Sequence, residues 1–205
     1  MKNLTCSKLI LSMMLAVASL TMVIGSADLS EAARYFQGKP AKYVFLFIGD
    51  GLGLPQRTAT EQFAGKKLLI DTFPAQGLTT TFAADRFITG SAASATAMAS
   101  GVKTNIGMIG MEPSQKHVKT LAEIAKDKGM KVGIVSSVSI DHATPAAFYS
   151  HVKKRSMYHH IDHALAESGF DFFGGGGLKD PKGKRILKKD PNGETFGDAM
   201  KKAEE

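Results

Sequence analysis

The stretch VKTLAEIAKDKGMKVGIVSSVSI, residues 118–140, contains a predicted helix and a predicted strand in immediate succession. Leu121, Ile124 and Ala125 recur at helical spacing, and Gly129 follows at the position where helices often end in a left-handed residue. The segment Lys131–Ile140 is apolar and rich in β-branched residues, which is typical of a buried strand. A helix followed directly by a strand is the unit of a parallel sheet with crossover helices.

Two further stretches support the same architecture. The run KYVFLFIGDG, residues 42–51, predicts a buried strand that stops in a tight turn. The run MYHHIDHALAESGFDFFGGGG predicts a helix that ends near Gly169 and a short strand, Phe170–Phe173. We therefore expect an α/β fold with an open, mostly parallel sheet and helices on both faces. The last twelve residues start a helix that no strand follows, so we expect this fold to be incomplete at its C-terminus.

The N-terminus predicts a secretory signal peptide over residues 1–27. Two lysines precede the apolar run Leu9–Gly25, and small residues at Gly25 and Ala27 suit cleavage after Ala27. The alternative is an uncleaved membrane anchor, although the apolar run is short for a bilayer span of about 20 residues. We expect a periplasmic or secreted protein, with residues 28–40 as a polar lead-in and no membrane contact after cleavage.

Charge and cysteine content exclude several classes of site. The formal net charge is +7, and without residues 1–27 the chain keeps 24 basic and 19 acidic side chains. The single cysteine, Cys6, precedes the predicted cleavage point, so the mature chain offers neither a disulfide nor a thiolate metal site. The basic segment 179–194 contains no aromatic residue that could stack on bases, so we expect a solvated surface and no nucleic-acid partner.

In open α/β folds, ligands gather at the carboxyl ends of the strands. The polar residues that follow the predicted strands are therefore candidate functional residues. Asp50 follows the first strand, while Asp141, His142 and Thr144 follow the strand that ends at residue 140. A carboxylate, an imidazole and a hydroxyl from these strand ends could converge on a metal ion, with oxygen donors suiting Mg²⁺ and imidazole suiting Zn²⁺. Structural roles remain open: an Asp-Gly turn at Asp50, and a helix N-cap at Thr144 before Pro145.

Other sequence motifs do not indicate a catalytic or binding site. The glycines of GDGLGL do not have the dinucleotide-binding spacing, ASGVKT is not a phosphate-binding P-loop, and Ser91 lacks the glycines of a nucleophile elbow. On its own, Ser91 is also explained as a helix N-cap. Four histidines between residues 151 and 163 are expected on the surface of a helix rather than at a metal: His151, His159, His160 and His163.

Three blocks in this order resemble the alkaline phosphatases: FIGDGLG at 47–53, GSAASATAMASGVKTNIG at 90–107 and HATPAAFYSHVKKR at 142–155. The resemblance covers roughly residues 43–177. It implies the alkaline-phosphatase-like α/β fold, with residues 41–205 as the N-terminal portion of the catalytic domain of a bacterial, periplasmic-type enzyme. It further implies hydrolysis of small-molecule phosphate monoesters with Zn²⁺ and Mg²⁺, and a homodimer for the full-length form.

The resemblance assigns a role to five residues of this chain. Asp50 matches the aspartate that bridges a zinc ion and the magnesium ion, and Thr144 matches a hydroxyl ligand of the magnesium. Ser91 matches the serine that coordinates zinc, attacks phosphorus and becomes phosphoserine. Arg155 matches the arginine that grips two phosphate oxygens, and His142 matches a position beside the metal site.

Two departures from the family pattern qualify these roles. Gly90 stands where the family commonly has an aspartate that helps to hold the arginine, so we expect a looser Arg155 and weaker phosphate retention. The remaining zinc ligands of the family lie in a C-terminal half that this chain lacks, which leaves Asp50, Ser91 and Thr144 of the metal sphere. The alternatives are a catalytically inactive truncated fragment with residual phosphate or metal binding, and a metal-dependent phosphodiesterase of the same superfamily.

Overall fold

The computed structural model describes residues 41–189 and 195–205. The predicted signal peptide and the lead-in at 28–40 lie outside these described residues. The chain divides into two units, Met1–Ile48 and Gly49–Glu205. Within the described part, no helix is long and apolar enough to cross a membrane.

In the first unit, the prediction of a buried strand is wrong. No strand is assigned between residues 41 and 48, and the side chains from Tyr43 to Phe47 are between 55% and 84% exposed. A strand is stable only when a neighbouring strand pairs its backbone N–H and C=O groups. No ladder within the described residues includes this segment, so its apolar sequence is not sufficient to make it a strand.

The second unit alternates helices with a small parallel sheet. Its elements, in chain order, are α1 (Leu54–Ala64), a 3₁₀ helix (Leu69–Thr72), α2 (Ser91–Ser100), α3 (Leu121–Asp127), β1 (Gly133–Val135), α4 (Ala143–Ala146), α5 (Tyr158–Glu167), β2 (Phe172–Gly174), α6 (Lys184–Lys189) and α7 (Ala199–Glu204).

The helix–strand unit at 118–140 is confirmed, with a shorter strand than predicted. Helix α3 is followed by Gly129 in the left-handed region at φ 76°, and the chain then enters β1. Strand β1 pairs in parallel with β2, with Ile134 opposite Phe173. Beyond Val135 the backbone instead follows the glycine run 174–177, where the Ile140 N–H donates to the Gly177 carbonyl at 3.0 Å. The strand ends early because its neighbour turns into this glycine-rich loop.

The glycine run is needed where the two loops approach closely. A Cβ atom added to Gly175 would lie 3.0 Å from the Val138 carbonyl oxygen, and one added to Gly176 would lie 3.3 Å from the Val138 carbonyl carbon. Larger residues at these positions would push the segment after β2 away from the segment after β1. The glycines therefore hold the two strand ends together.

The buried core lies between α2, α4 and α5. Helix α2 buries one face made almost wholly of alanine, which allows close approach to α4. Ile109 and Ile161, both fully buried, fill the centre of this cluster. Thr96 is also fully buried, and its hydroxyl accepts the Gly110 N–H at 3.0 Å. The small residues of α2 thus serve close helix packing.

The C-terminal segment is mostly solvated. Helix α6 has no buried residue, as expected for the basic segment, although Asp180 within the same segment is only 4% exposed. Residues 190–194 of this segment lie outside the described residues. The predicted final helix is confirmed as α7, where the Asp198 carboxylate accepts the Met200 N–H.

Candidate active site

Ser91 is the first residue of α2 rather than its N-cap. The cap position is held by Gly90, in an extended conformation, and no side chain caps the helix. The Ser91 hydroxyl is therefore not bound to its own helix, and the first N–H groups of α2 stay available to an anion. The ten-residue helix ends at Gly101, which adopts the left-handed conformation at φ 73°.

Asp50 is the centre of the site, because each of its carboxylate oxygens accepts a hydrogen bond from a different hydroxyl group. Ser91 Oγ donates to Oδ1 at 3.2 Å, and Thr144 Oγ1 donates to Oδ2 at 2.9 Å. The carboxylate stands in a tight turn in which Gly51 has a φ of 71°, so a glycine is favoured there. The structure thus brings together three residues that the sequence predicted for the metal sphere.

Thr144 is not a helix N-cap, so this structural role suggested by the sequence is wrong. The cap of α4 is His142, and Thr144 lies one residue inside the helix. Its hydroxyl points to Asp50 instead of to the backbone of its own helix. Pro145 suits this first turn, because its missing N–H would have no partner within the helix there.

Arg155 is linked to the site by a hydrogen bond to His142. Arg155 Nη2 donates a hydrogen bond to His142 Nε2 at 3.2 Å. Because a guanidinium group only donates, Nε2 accepts, and the imidazole is neutral with its proton on Nδ1. Partial burial and the positive charges of Arg155 and Lys179 lower the pKa of His142, against the raising effect of the nearby Asp50 and Asp141 carboxylates. The Arg155 backbone N–H donates to the Gly107 carbonyl at 2.7 Å, which fixes the start of its side chain.

Gly90 leaves room beside Ser91. Its φ of −139° is open to any residue, and an added Cβ atom would meet only the Ile106 side chain, at 3.5 Å. No carboxylate lies within ion-pair distance of Arg155 anywhere in residues 41–189 and 195–205. The glycine is therefore not required by the backbone.

The oxygen donors at Asp50 suit a hard cation and do not by themselves suit zinc. Asp50 and Thr144 supply a carboxylate and a hydroxyl, which Mg²⁺ accepts together with several water molecules. Zinc sites use about three or four His, Cys, Asp or Glu ligands. In the part of the chain that the structure describes, no cluster of three or more such side chains could hold a metal ion. The residues present fit magnesium, and they fall short of a zinc site.

The expectation of surface histidines on α5 is wrong for two of them. His159 and His163 are 1% and 5% exposed. His159 Nδ1–H donates to the Asp180 carbonyl at 3.0 Å, and its Nε2 accepts the Phe196 N–H at 2.9 Å. The Phe196 ring also stacks on the His159 ring, with 5.6 Å between centroids. Residues distant in sequence cover this helix face, which a helical spacing pattern cannot show.

His151 belongs to a different cluster, away from Asp50. Its Nδ1 lies 2.6 Å from the Gly110 carbonyl and its Nε2 lies 2.9 Å from Glu123 Oε1. Burial would raise the pKa of Glu123, but the hydrogen bonds from the Thr120 backbone and from His151 together outweigh it and lower the pKa. These two side chains line a cavity of about 440 Å³ with Tyr149 and Phe170, and none of the predicted site residues lines it.

The sequence-based prediction missed one feature next to the site. Asp141 and Asp162 are both fully buried, and their carboxyl groups accept hydrogen bonds from two adjacent backbone N–H groups, those of Lys179 and Asp180. The Lys179 N–H donates to Asp141 at 2.6 Å, whereas the hydrogen bonds of Asp50 come from Ser91 and Thr144. The only sequence clue was an acidic residue on the apolar side of α5, between Ile161 and His163.

Comparison with known proteins identifies a family. The family model described as "Alkaline phosphatase" matches residues 41–174 of this chain. The alkaline phosphatase of Escherichia fergusonii is 40% identical over 144 residues, which is 65% of this chain and 30% of the relative. The streptomycin-6-phosphate phosphatase of Streptomyces griseus is 36% identical over 171 residues, or 78% of this chain and 38% of that protein.

Solved structures agree on the fold. The alkaline phosphatase of the Antarctic bacterium TAB5 superposes with a TM-score of 0.65 at 32% identity, covering 76% of this chain and 43% of that one. A mutant of the TAB5 enzyme with Mg bound in its M3 site gives the same TM-score. The alkaline-phosphatase-like α/β fold predicted from the sequence is confirmed. The chain spans less than half the length of each of these relatives.

Proposed function

Because this chain belongs to the alkaline phosphatase family, we propose that its site is part of an enzyme that hydrolyses phosphate monoesters through a phosphoserine. The observation that carries the proposal is the convergence of Ser91 and Thr144 on the two carboxylate oxygens of Asp50. This convergence brings the Ser91 hydroxyl group, at a helix N-terminus, beside an acidic group that is exposed to solvent. Phosphoryl transfer depends mainly on such positioning and on charge stabilisation.

In the proposed reaction Ser91 Oγ attacks phosphorus. A bond forms between Oγ and phosphorus, the ester bond to phosphorus breaks, and the alcohol leaves. Water then hydrolyses the phosphoserine, which releases inorganic phosphate and restores the hydroxyl group. A serine hydroxyl is a weak nucleophile unless a neighbour activates it, and the hydrogen bond to Asp50 Oδ1 fixes its orientation.

Two other features of this chain suit the anionic substrate. The free N–H groups at the start of α2 and the helix dipole favour negative charge beside Ser91. The planar Arg155 guanidinium matches two phosphate oxygens. A magnesium ion held by Asp50 and Thr144 would add positive charge beside the phosphoryl group.

The test is hydrolysis of p-nitrophenyl phosphate in the presence of Mg²⁺ and Zn²⁺. We expect Ser91→Ala to abolish p-nitrophenol release, because the variant has no nucleophile. The matched control is Ser94→Ala in the same helix, whose hydroxyl contacts Thr89 rather than Asp50 and whose loss should leave most of the activity. Equal rates for Ser91→Ala and the wild-type chain would contradict the proposal. Faster cleavage of a phosphodiester, bis(p-nitrophenyl) phosphate, would favour a phosphodiesterase instead.

A second candidate function is a catalytically inactive chain that retains phosphate or metal binding. It is favoured by the small set of metal-binding side chains at Asp50 among the described residues. This candidate predicts no hydrolysis by any variant, together with calorimetric binding of inorganic phosphate that Arg155→Ala weakens. Hydrolysis that depends on Ser91 would exclude it.

We further propose that the protein acts in the periplasm or outside the cell after removal of residues 1–27. The support is the charged start, apolar run and small-residue cleavage site of this segment. N-terminal sequencing of protein from the periplasmic or secreted fraction should begin at Asp28. Recovery of a chain that keeps residues 1–27 in the membrane fraction would indicate the anchor instead.

A further inference from the structure

The buried carboxyl groups of Asp141 and Asp162 lie behind the candidate site and have no role in the proposed reaction. Asp141 belongs to the segment between β1 and α4, and Asp162 belongs to α5. Both residues are 0% exposed. Both carboxyl groups accept hydrogen bonds from adjacent N–H groups, those of Lys179 and Asp180, which places them near each other. Two neighbouring carboxyl groups at this depth disfavour two negative charges, so one of them binds a proton.

One oxygen of each of the two carboxyl groups lacks a hydrogen-bond donor among the described residues. One oxygen of each carboxyl group accepts a backbone N–H: Asp141 Oδ2 from Lys179 at 2.6 Å, and Asp162 Oδ2 from Asp180 at 3.1 Å. The other oxygen of each, Oδ1, is buried and receives no hydrogen from any donor in the described residues. A single proton shared between the two carboxyl groups supplies the missing donor to the pair.

The charged groups around the pair do not supply a cation. Asp180 adds a further negative charge, and Tyr149 donates its hydroxyl hydrogen to the Ile140 carbonyl at 2.7 Å. The Lys179 ammonium group contacts the Tyr158 hydroxyl, and Lys202 of α7 pairs with Glu167. Within the described residues, no ion pair reaches Asp141 or Asp162.

We infer that Asp162 is a protonated carboxylic acid that donates a hydrogen bond to the Asp141 carboxylate and so positions the segment 140–144 at the candidate site. This segment carries His142, which contacts Arg155, and Thr144, which contacts Asp50. Asp162 is a positioning residue and not a catalytic one, because it acts only through Asp141. The positioning role of Asp162 at the site rests on the proposed function, whereas the proton shared by Asp141 and Asp162 is independent of it.

Burial and the neighbouring charge of Asp141 agree with this inference, because they raise the pKa of Asp162 to about 8. In the unfolded chain the pKa of an aspartate is about 3.8. Between these two values the folded chain keeps a proton that the unfolded chain has lost. The contribution of this proton to stability is therefore complete below about pH 4 and is lost progressively as the pH rises towards 8.

The first experiment detects the proton directly. Infrared spectroscopy of the intact wild-type chain at pH 6 should show the C=O band of a buried protonated carboxyl group. Asp162→Asn should lose this band, and the matched control Asp127→Asn, at an exposed ion-paired aspartate, should keep it. Absence of the band in the wild type, or its persistence in Asp162→Asn, would overturn the inference.

The second experiment measures stability against pH. Between pH 5 and pH 7 the unfolding equilibrium constant of the wild type should rise about tenfold per pH unit relative to that of Asp162→Asn. Parallel curves would overturn the inference. A wild-type stability that depends on a divalent cation and loses this dependence in Asp162→Asn would also overturn it, since a metal ion would then replace the proton.

The third experiment tests positioning without requiring catalysis. Amide hydrogen exchange over residues 139–144 should accelerate in Asp162→Ala, which leaves the Asp141 charge buried and unpaired. Asp162→Asn should restore slow exchange, because its amide group can still donate to Asp141 and accept from Asp180. Equal exchange in the alanine and asparagine variants would contradict the positioning role. If Asp162→Ala does not fold, the infrared and pH measurements on the other chains still decide the inference.

Discussion

Arg155 rests against a neutral imidazole rather than a carboxylate. The guanidinium group has His142 Nε2 at 3.2 Å, while Gly90 contributes no side chain. A hydrogen bond to a neutral acceptor is weaker than one to a carboxylate. Arg155 is thus held less firmly than a carboxylate neighbour would hold it.

Replacing Gly90 with aspartate should tighten the binding of inorganic phosphate. The new carboxylate would hold Arg155 in place before phosphate arrives, so less order is lost on binding. A net gain of about 1 kcal/mol corresponds to a dissociation constant roughly fivefold lower. Titration calorimetry with phosphate measures the change.

Gly90→Asn is the matched control, because it adds a side chain of the same size without charge. The extended backbone and the 3.5 Å separation of the added Cβ atom from Ile106 allow both variants to fold. Equal affinity for phosphate in Gly90→Asp and Gly90→Asn would show that a carboxylate at this position does not hold the arginine.

At the scale of elements, α3 depends on the polar groups at its first turn. The buried Thr120 hydroxyl accepts the Glu123 N–H at 3.1 Å and donates to the Phe148 carbonyl at 2.8 Å. In return, the Glu123 carboxylate accepts the Thr120 N–H at 2.7 Å. This capping box begins the helix and also attaches it to the chain that follows α4.

Thr120→Val should lower the free energy of unfolding by about 1–3 kcal/mol. The substitution keeps the side-chain shape but leaves the Glu123 N–H and the Phe148 carbonyl without their hydroxyl partner. Thr120→Ser retains the hydroxyl group and should lose less. Urea denaturation of the two variants measures the difference, and a valine variant as stable as the serine variant would refute this account of the helix start.

At the scale of the whole molecule, burial is unevenly distributed along the chain. Most fully buried apolar side chains lie between residues 92 and 161, around α2, α4 and α5. Helix α1 has no buried residue, and large apolar side chains such as Phe63 and Leu78 are almost fully exposed. The candidate site therefore joins a well-packed region, which supplies Ser91 and Thr144, to a sparsely packed one, which supplies Asp50.

Local sequence patterns predicted the elements whose cause is local. The end of α3 just before Gly129 and the position of Ser91 at a helix start follow from residues close together in the chain. The convergence on Asp50 was predicted from the resemblance, and the contacts with Ser91 and Thr144 agree with it.

The errors concern features that depend on distant residues. His159 is buried because Phe196 and Asp180 cover it, and helical spacing cannot report such a cover. Asp162 was missed because its partner, Asp141, lies in another element. The strand predicted at residues 43–48 needs hydrogen-bonding neighbours that its own sequence cannot supply.

The exposed run from Tyr43 to Phe47 has a consequence for how the protein behaves at high concentration. Five consecutive apolar residues with strong β propensity, no proline and no charge form the kind of segment that nucleates intermolecular β-sheets. Since no ladder among residues 41–189 and 195–205 pairs its backbone, the run offers a template on which a second copy can add a strand. Aggregation should therefore begin at this segment while the packed region around α2 is still folded.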